Sequence, residues 1–181
     1  MKTNIVVLLT GMTIIFLVNF AIWQKQTHLD KGEEIFLELA PVDPRSLMQG
    51  DYMALRFELS DAIQKAIFAT DTPQQQNFPA NAGKGVFSLT YDGFVVVEKD
   101  INQVAQFVRI NNEQAISSNQ RKLQFRIRNN KIKFATNAFF FEEGDGAIYQ
   151  DARYGVFRLN DKGEVLLTGM LDANRQPLGD N

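Results

Sequence analysis

The 181-residue chain has no cysteine, one histidine and one tryptophan. Lacking cysteine, it cannot be processed as a lipoprotein, and with His28 alone it lacks the ligands of an ordinary zinc site. The missing thiols suit an oxidising compartment without requiring one. A Ser-His-Asp or other histidine-based acid/base site would have to sit around His28, five residues past Trp23, in a segment without the rigid setting catalysis needs. An excess of one charge is missing too. Of the 19 lysines and arginines all but Lys2 follow residue 23, which leaves 18 bases against 21 acids there, a net of −3. Such a balance argues against a nucleic-acid or anionic-lipid surface, either of which needs clustered bases. No internal repeat or low-complexity array is visible.

One long apolar run is present. Residues 4–23 are broken only by Asn4, Thr10, Gly11, Thr13 and Asn19. As a helix they extend about 30 Å, the thickness of a bilayer's hydrocarbon core. Trp23 ends the run, where an indole ring sits well at headgroup level. A cleaved signal peptide is the rival reading, but the run exceeds a usual h-region and no small-x-small site follows it. It lacks the polar face of a buried core helix. Lys2 precedes it and Lys25 and Lys31 follow, so the count of bases does not itself favour an internal N-terminus. The short tail before a signal anchor sets the expectation: a single pass through the inner membrane, with the C-terminal domain periplasmic. Thr10, Gly11 and Thr13 form a small-residue patch where another helix could approach, or are simply tolerated in lipid.

Residues 24–34 read as a linker or helical extension, residues 35–172 as one β-rich domain, and residues 173–181 as a polar tail that frays. Within the domain, residues 41–59 run from a turn-forming cluster into a strand. Pro44 fixes its own φ and biases Asp43 toward extended backbone, and Gly50 and Asp51 stand at the join. Met53, Leu55, Phe57 and Leu59 then alternate with Tyr52, Ala54, Arg56 and Glu58, the period of a half-buried strand.

The stretch from Gly50 to Phe57, G-D-Y-M-A-L-R-F, resembles the motif of the GDYXXLXY proteins, with Phe57 where that family usually has tyrosine. Upstream, Val42-Asp43-Pro44-Arg45-Ser46-Leu47 is similar to the block that precedes the motif in relatives. Phe140-Phe141-Glu142-Glu143-Gly144-Asp145-Gly146 resembles the family's F-V-P-E-G-x-G, with Glu142 in place of the proline. Asp151-Ala152-Arg153-Tyr154 and residues 156–171 resemble its closing strands. The resemblance implies a bacterial membrane protein of unknown activity. It also implies an integral membrane partner, since relatives accompany, or are fused to, multi-pass membrane proteins.

Elsewhere, residues 35–39 read as a strand, and Ser60 or Asp61 caps a short helix over residues 60–69. Residues 70–84 read as a loop. Asp92-Gly93 predicts a two-residue turn between strands at 86–91 and 94–99, and Asn129-Asn130 another between 123–128 and 132–135. Asp161-Lys162-Gly163 predicts a third hairpin between 154–159 and 164–171. Residues 104–110 form a further strand and residues 147–153 a helical turn. The expected fold is mainly β, an antiparallel sandwich or barrel-like domain with one or two short helices after an N-terminal transmembrane helix.

The bases Arg121, Lys122, Arg126, Arg128, Lys131 and Lys133 read as the solvated face of the second hairpin, or alternatively as a docking face for an acidic partner or phosphate headgroups. Glu142, Glu143 and Asp145 offer oxygens to a hard cation but lack EF-hand spacing. Ser46 has no lysine in a recognisable second motif. No cofactor and no metal is expected. Structural roles account better for the motif residues. Asp43 and Asp51 serve as turn acceptors, Tyr52 packs its ring and offers its hydroxyl to a partner, Leu55 and Phe57 lie on the apolar face of the strand, and Arg45 pairs with Glu143 beside Gly144 and Gly146. The alternative for these residues, and for Pro44, Gly50 and Tyr154, is an interaction surface on the same loops. The function that follows is a membrane-anchored periplasmic accessory module; the alternative is an envelope hydrolase using Asp43, Asp51 or Glu143.

Overall fold

The computed structural model describes residues 2–40, 48–49, 52–68, 90–111, 114–129 and 131–179. Helix α1 runs from Lys2 to Lys31 and leaves its apolar side chains on all sides outside the protein core, Phe16 at 70% exposure among them. Three polar side chains within its apolar run bond to its own backbone. Thr10 and Thr13 donate to the carbonyls of Val6 and Leu9, and Asn19 to that of Ile15, each at 2.9 Å. A helix in lipid needs this, because no water is available to take those groups. It is the one helix among the described residues long and apolar enough to cross a membrane.

Eleven strands follow among the described residues, in three antiparallel sheets. The first sheet orders β1 (Glu33–Glu38), β9 (Tyr154–Leu159), β10 (Val165–Leu171) and β11 (Pro177–Leu178) side by side. The second orders β2 (Met48–Gln49), β3 (Tyr52–Ala54) and β8 (Ala138–Phe140). The third orders β5 (Ala105–Ile110), β4 (Tyr91–Lys99), β6 (Gln120–Arg128) and β7 (Lys131–Lys133). Helix α2 (Glu58–Phe68) packs on β1, β5 and β7, and a 3-10 helix covers Asp145–Asp151. The fold is mainly β, as the alternation implies.

Alternation places the core. Ile35 and Leu37 from β1, Val95 and Val97 from β4, Leu123, Phe125 and Ile127 from β6, and Phe157 from β9 are all fully buried. Phe57 sits among them, its ring edge-on to Phe134 at 5.8 Å and to Phe157 at 5.6 Å. Removing so central a ring would cost about 3–5 kcal/mol. The strand alternation from Met53 holds through Phe57; α2 then begins at Glu58, ahead of the expected cap, and Leu59 is buried from the helix. Asp61 instead binds the Arg56 guanidinium at 2.8 Å.

Strands β6 and β7 form the second expected hairpin, with Asn129 at φ 52° and Arg128 paired to Lys131, while Asn130 falls outside the described residues. The hairpin around residues 161–163 forms too. The Asp92-Gly93 turn does not. Both residues lie inside β4, opposite Arg126 and Phe125 of β6. Residues 86–89 fall outside the described residues. The local turn signal loses to a long partner strand. Arg128 takes the Asp92 carboxylate at 2.7 Å, and the Tyr91 ring closes over Gly93, where a Cβ would stand 2.4 Å from Cε1 of that ring. The hydrogen bond from Arg128 holds the Asp92 carboxyl below its usual range.

Residues at 173–179 do not fray. Asp172 accepts from the amides of Asn174 and Gln176, and β11 folds back on β10. Of the two readings for residues 24–34, the helical extension holds for residues 24–31, which continue α1, and Gly32 alone separates it from β1.

Candidate functional site

The second sheet carries the motif. Its strand β3 pairs with β8 in the register Tyr52 to Phe140, Met53 to Phe139 and Ala54 to Ala138. One face turns inward: Met53, Leu55 and Phe57 are buried. The other face presents Tyr52 beside Phe140, their ring centroids 5.7 Å apart, with Phe140 72% exposed. Motif residues thus divide between core and surface by the two-residue period of the strand.

The second block extends the same pattern. Phe139 and Phe141 both turn to Tyr149 of the 3-10 helix, at 4.9 Å edge-on and 5.3 Å stacked. Phe140, between them, points away. Glu142 and Glu143 are exposed in the turn that follows, and Gly144 precedes the 3-10 helix at φ 99°. Gly146 lies in the first turn of that helix. Tyr154 joins a separate small cluster with Phe36, Val104 and Leu171, so it is not part of this surface. Asp43, Pro44, Arg45, Gly50 and Asp51 fall outside the described residues, and the expected Arg45–Glu143 pair with them. Among the described residues no group of three acids or histidines stands close enough to hold a metal ion.

A second feature lies where α1 meets the domain, and residue patterns gave no hint of it. His28 is buried at 7% exposure. Its ring is 2.8 Å from the Arg158 carbonyl, which can only accept, so Nε2 carries the proton. Nδ1 is then left to accept from the Asn160 amide at 3.4 Å. Asn160 in turn organises the β9–β10 turn: its Oδ1 accepts from the amides of Lys162 and Glu164, and its Nδ2 donates to the Glu164 carboxylate. Gly32 allows the close approach, since a Cβ there would meet the His28 carbonyl at 2.5 Å and Arg158 Cβ at 2.9 Å. Glu33, the next residue, pairs with Lys99 and Arg121 and so ties the first sheet to the third. Burial pushes the Glu33 carboxyl up, and the hydrogen bonds and charges of Arg121 and Lys99 more than reverse it, holding it below the usual carboxylate range.

Between this stretch of α1 and the β9–β10 turn lies a cleft of about 560 Å³. Trp23 stands at one end of its α1 wall and Gly32 at the other, with Arg121, Lys122 and Lys162 across from them. The basic stripe of β6 is thus not uniform. Arg121 and Lys122 line this cleft, Arg128 is spent on Asp92, and Arg126, Lys131 and Lys133 are exposed.

A protein family described as GDYXXLXY protein matches residues 14–170, from the middle of α1 to the end of β10. Comparison with curated proteins and with solved structures found no match.

Proposed function

The chain belongs to the GDYXXLXY protein family, and we propose that it is a single-pass, membrane-anchored accessory module that associates with an integral membrane protein. In this reading α1 sits in the inner membrane and the β domain stands in the periplasm. One observation carries the proposal: an apolar helix exposed on all sides continues without a break into a segment docked on the domain by His28 and Gly32. A cleaved leader has no use for such docking. A rigid junction, by contrast, sets the height and orientation of the domain over the bilayer.

The exposed Phe140, with the half-buried Tyr52 beside it, supports a protein partner. Aromatic side chains supply much contact area at small entropic cost and are enriched at interfaces. The test is chemical cross-linking in intact membranes, followed by purification in mild detergent, for wild type and for Phe140→Ser and Glu143→Ala variants shown to be folded. The expected result is one integral membrane protein captured by wild type and reduced at least about tenfold by Phe140→Ser, the loss typical of an interface anchor. Absence of a partner in every sample contradicts the proposal.

A further inference from the structure

The cleft beside α1 has a position that selects its ligand. Residues 4–23 fill the hydrocarbon core, so Trp23 marks its boundary. From there the helix rises about 1.5 Å per residue, which carries Lys25 about 3 Å, His28 about 8 Å and Gly32 about 14 Å beyond the boundary. The polar headgroup layer occupies roughly the first 5–8 Å of that distance. The mouth of the cleft therefore opens among the headgroups.

Its charge is also distinct from that of the whole chain, whose net of −2 speaks against a general lipid-binding surface. The lining holds Lys25, Lys31, Arg121, Lys122 and Lys162. Its acids are Glu33, Asp161 and Glu164. Glu33 is already matched by Lys99 and Arg121, whereas Glu164 accepts from the neutral Asn160 amide and keeps its charge. Lys122 lies over the Phe94 ring at 6.0 Å. Lys25, Lys31 and Lys162 are exposed and form no ion pair with any described residue. Three ammonium groups without an ion pair then face Asp161 and Glu164, and with five bases against three acids over the whole lining the surplus is positive. Thr27 and Gln24 add neutral polar groups on the same wall. A volume of about 560 Å³ is within the range of small-ligand sites.

We infer that this cleft is a binding site for the phosphate headgroup of an anionic phospholipid in the leaflet on the domain side. Lys25 and Lys162 close on the phosphate from the helix and the β9–β10 turn, while Trp23 holds the glycerol region at the hydrocarbon boundary. The inference rests on α1 lying in a bilayer and is independent of any protein partner.

The test places the full chain in nanodiscs of equal parts phosphatidylglycerol and phosphatidylcholine and reads the lipids retained by native mass spectrometry. Vesicle flotation first checks insertion, so a failed anchor is told apart from a failed site. The expected result is one phosphatidylglycerol retained in preference to phosphatidylcholine. Lys25→Gln and Lys162→Gln should each cut that preference about fivefold, the factor that one base contributes near an anionic surface. Lys133→Gln, on the exposed β7, should leave it unchanged. A retained-lipid ratio equal to that of the bilayer, or one indifferent to the cleft substitutions, overturns the inference. Inorganic phosphate is the second arm. If it displaces the retained lipid at low millimolar concentration, the site is one for the free anion, and the lipid assignment fails.

Discussion

Glu33 and Glu38 stand at opposite ends of β1 and respond to pH in opposite senses. The Glu33 carboxyl is held below its ordinary value of 4.5, so its contribution to stability is full above that value and is lost as pH falls through the lower folded one. Glu38 is raised, first by burial and then by the nearby charge of Glu58, with Asp100 adding to this and Arg153 opposing it. Its ionised form is disfavoured by the fold, so stability associated with it is present at low pH and lost as pH rises through the raised value. Glu33→Gln should lower the thermal midpoint at neutral pH by about 2 °C, solvent screening keeping the effect near 1 kcal/mol or less. The difference should vanish in acid. Glu38→Gln should raise the midpoint slightly at neutral pH, by a few tenths of a kcal/mol at most, and leave it unchanged in acid. Thermal unfolding of the three proteins across that pH range checks both signs; a Glu33→Gln effect that persists unchanged in acid contradicts the ion-pair assignment.

At the scale of elements, the junction between α1 and the first sheet is the piece on which the domain's placement depends. His28→Ala removes a donor to Arg158 and an acceptor for Asn160 at once. It should cost about 1–2 kcal/mol locally, seen as faster amide exchange through residues 24–32 and the β9–β10 turn, with the core of β4 and β6 unaffected. Equal acceleration in all these regions contradicts a local role. The sequence made part of this scale legible. Twenty nearly uninterrupted apolar residues specify the long exposed helix α1, and the alternation of Met53, Leu55 and Phe57, or of Leu123, Phe125 and Ile127, marks faces that are buried. The β6–β7 hairpin is legible because Asn129 takes up a positive φ on its own backbone, as a turn asparagine does. Asp92-Gly93 misleads for the reciprocal reason: its conformation is decided by Arg128 and the β6 backbone, far along the chain. His28 gives no local sign at all, its partner Arg158 being 130 residues away. Phe140 is hidden in a run of three phenylalanines, and only the register with β3 tells which of them faces outward.

On the proposed reading, the whole molecule is a β domain held at fixed height over a membrane, with two surfaces left for others. The motif face, with Tyr52 and Phe140, is suited to protein. The cleft at the junction, with Lys25 and Lys162, is suited to headgroups. Conserving the orientation between these surfaces is what the short connection through Gly32 accomplishes, because helix and strand are separated by a single residue. The motif therefore serves two ends in one strand: Phe57 builds the core, and Tyr52, on the opposite side, contributes to the surface. The measurement that bears most directly on this account is site-specific photocross-linking in intact membranes, with the photoreactive residue at position 140 and, as control, at position 133. An integral membrane protein joined to the chain from position 140 and not from position 133 is the result predicted. No protein adduct from position 140, or the same adducts from both positions, would contradict it.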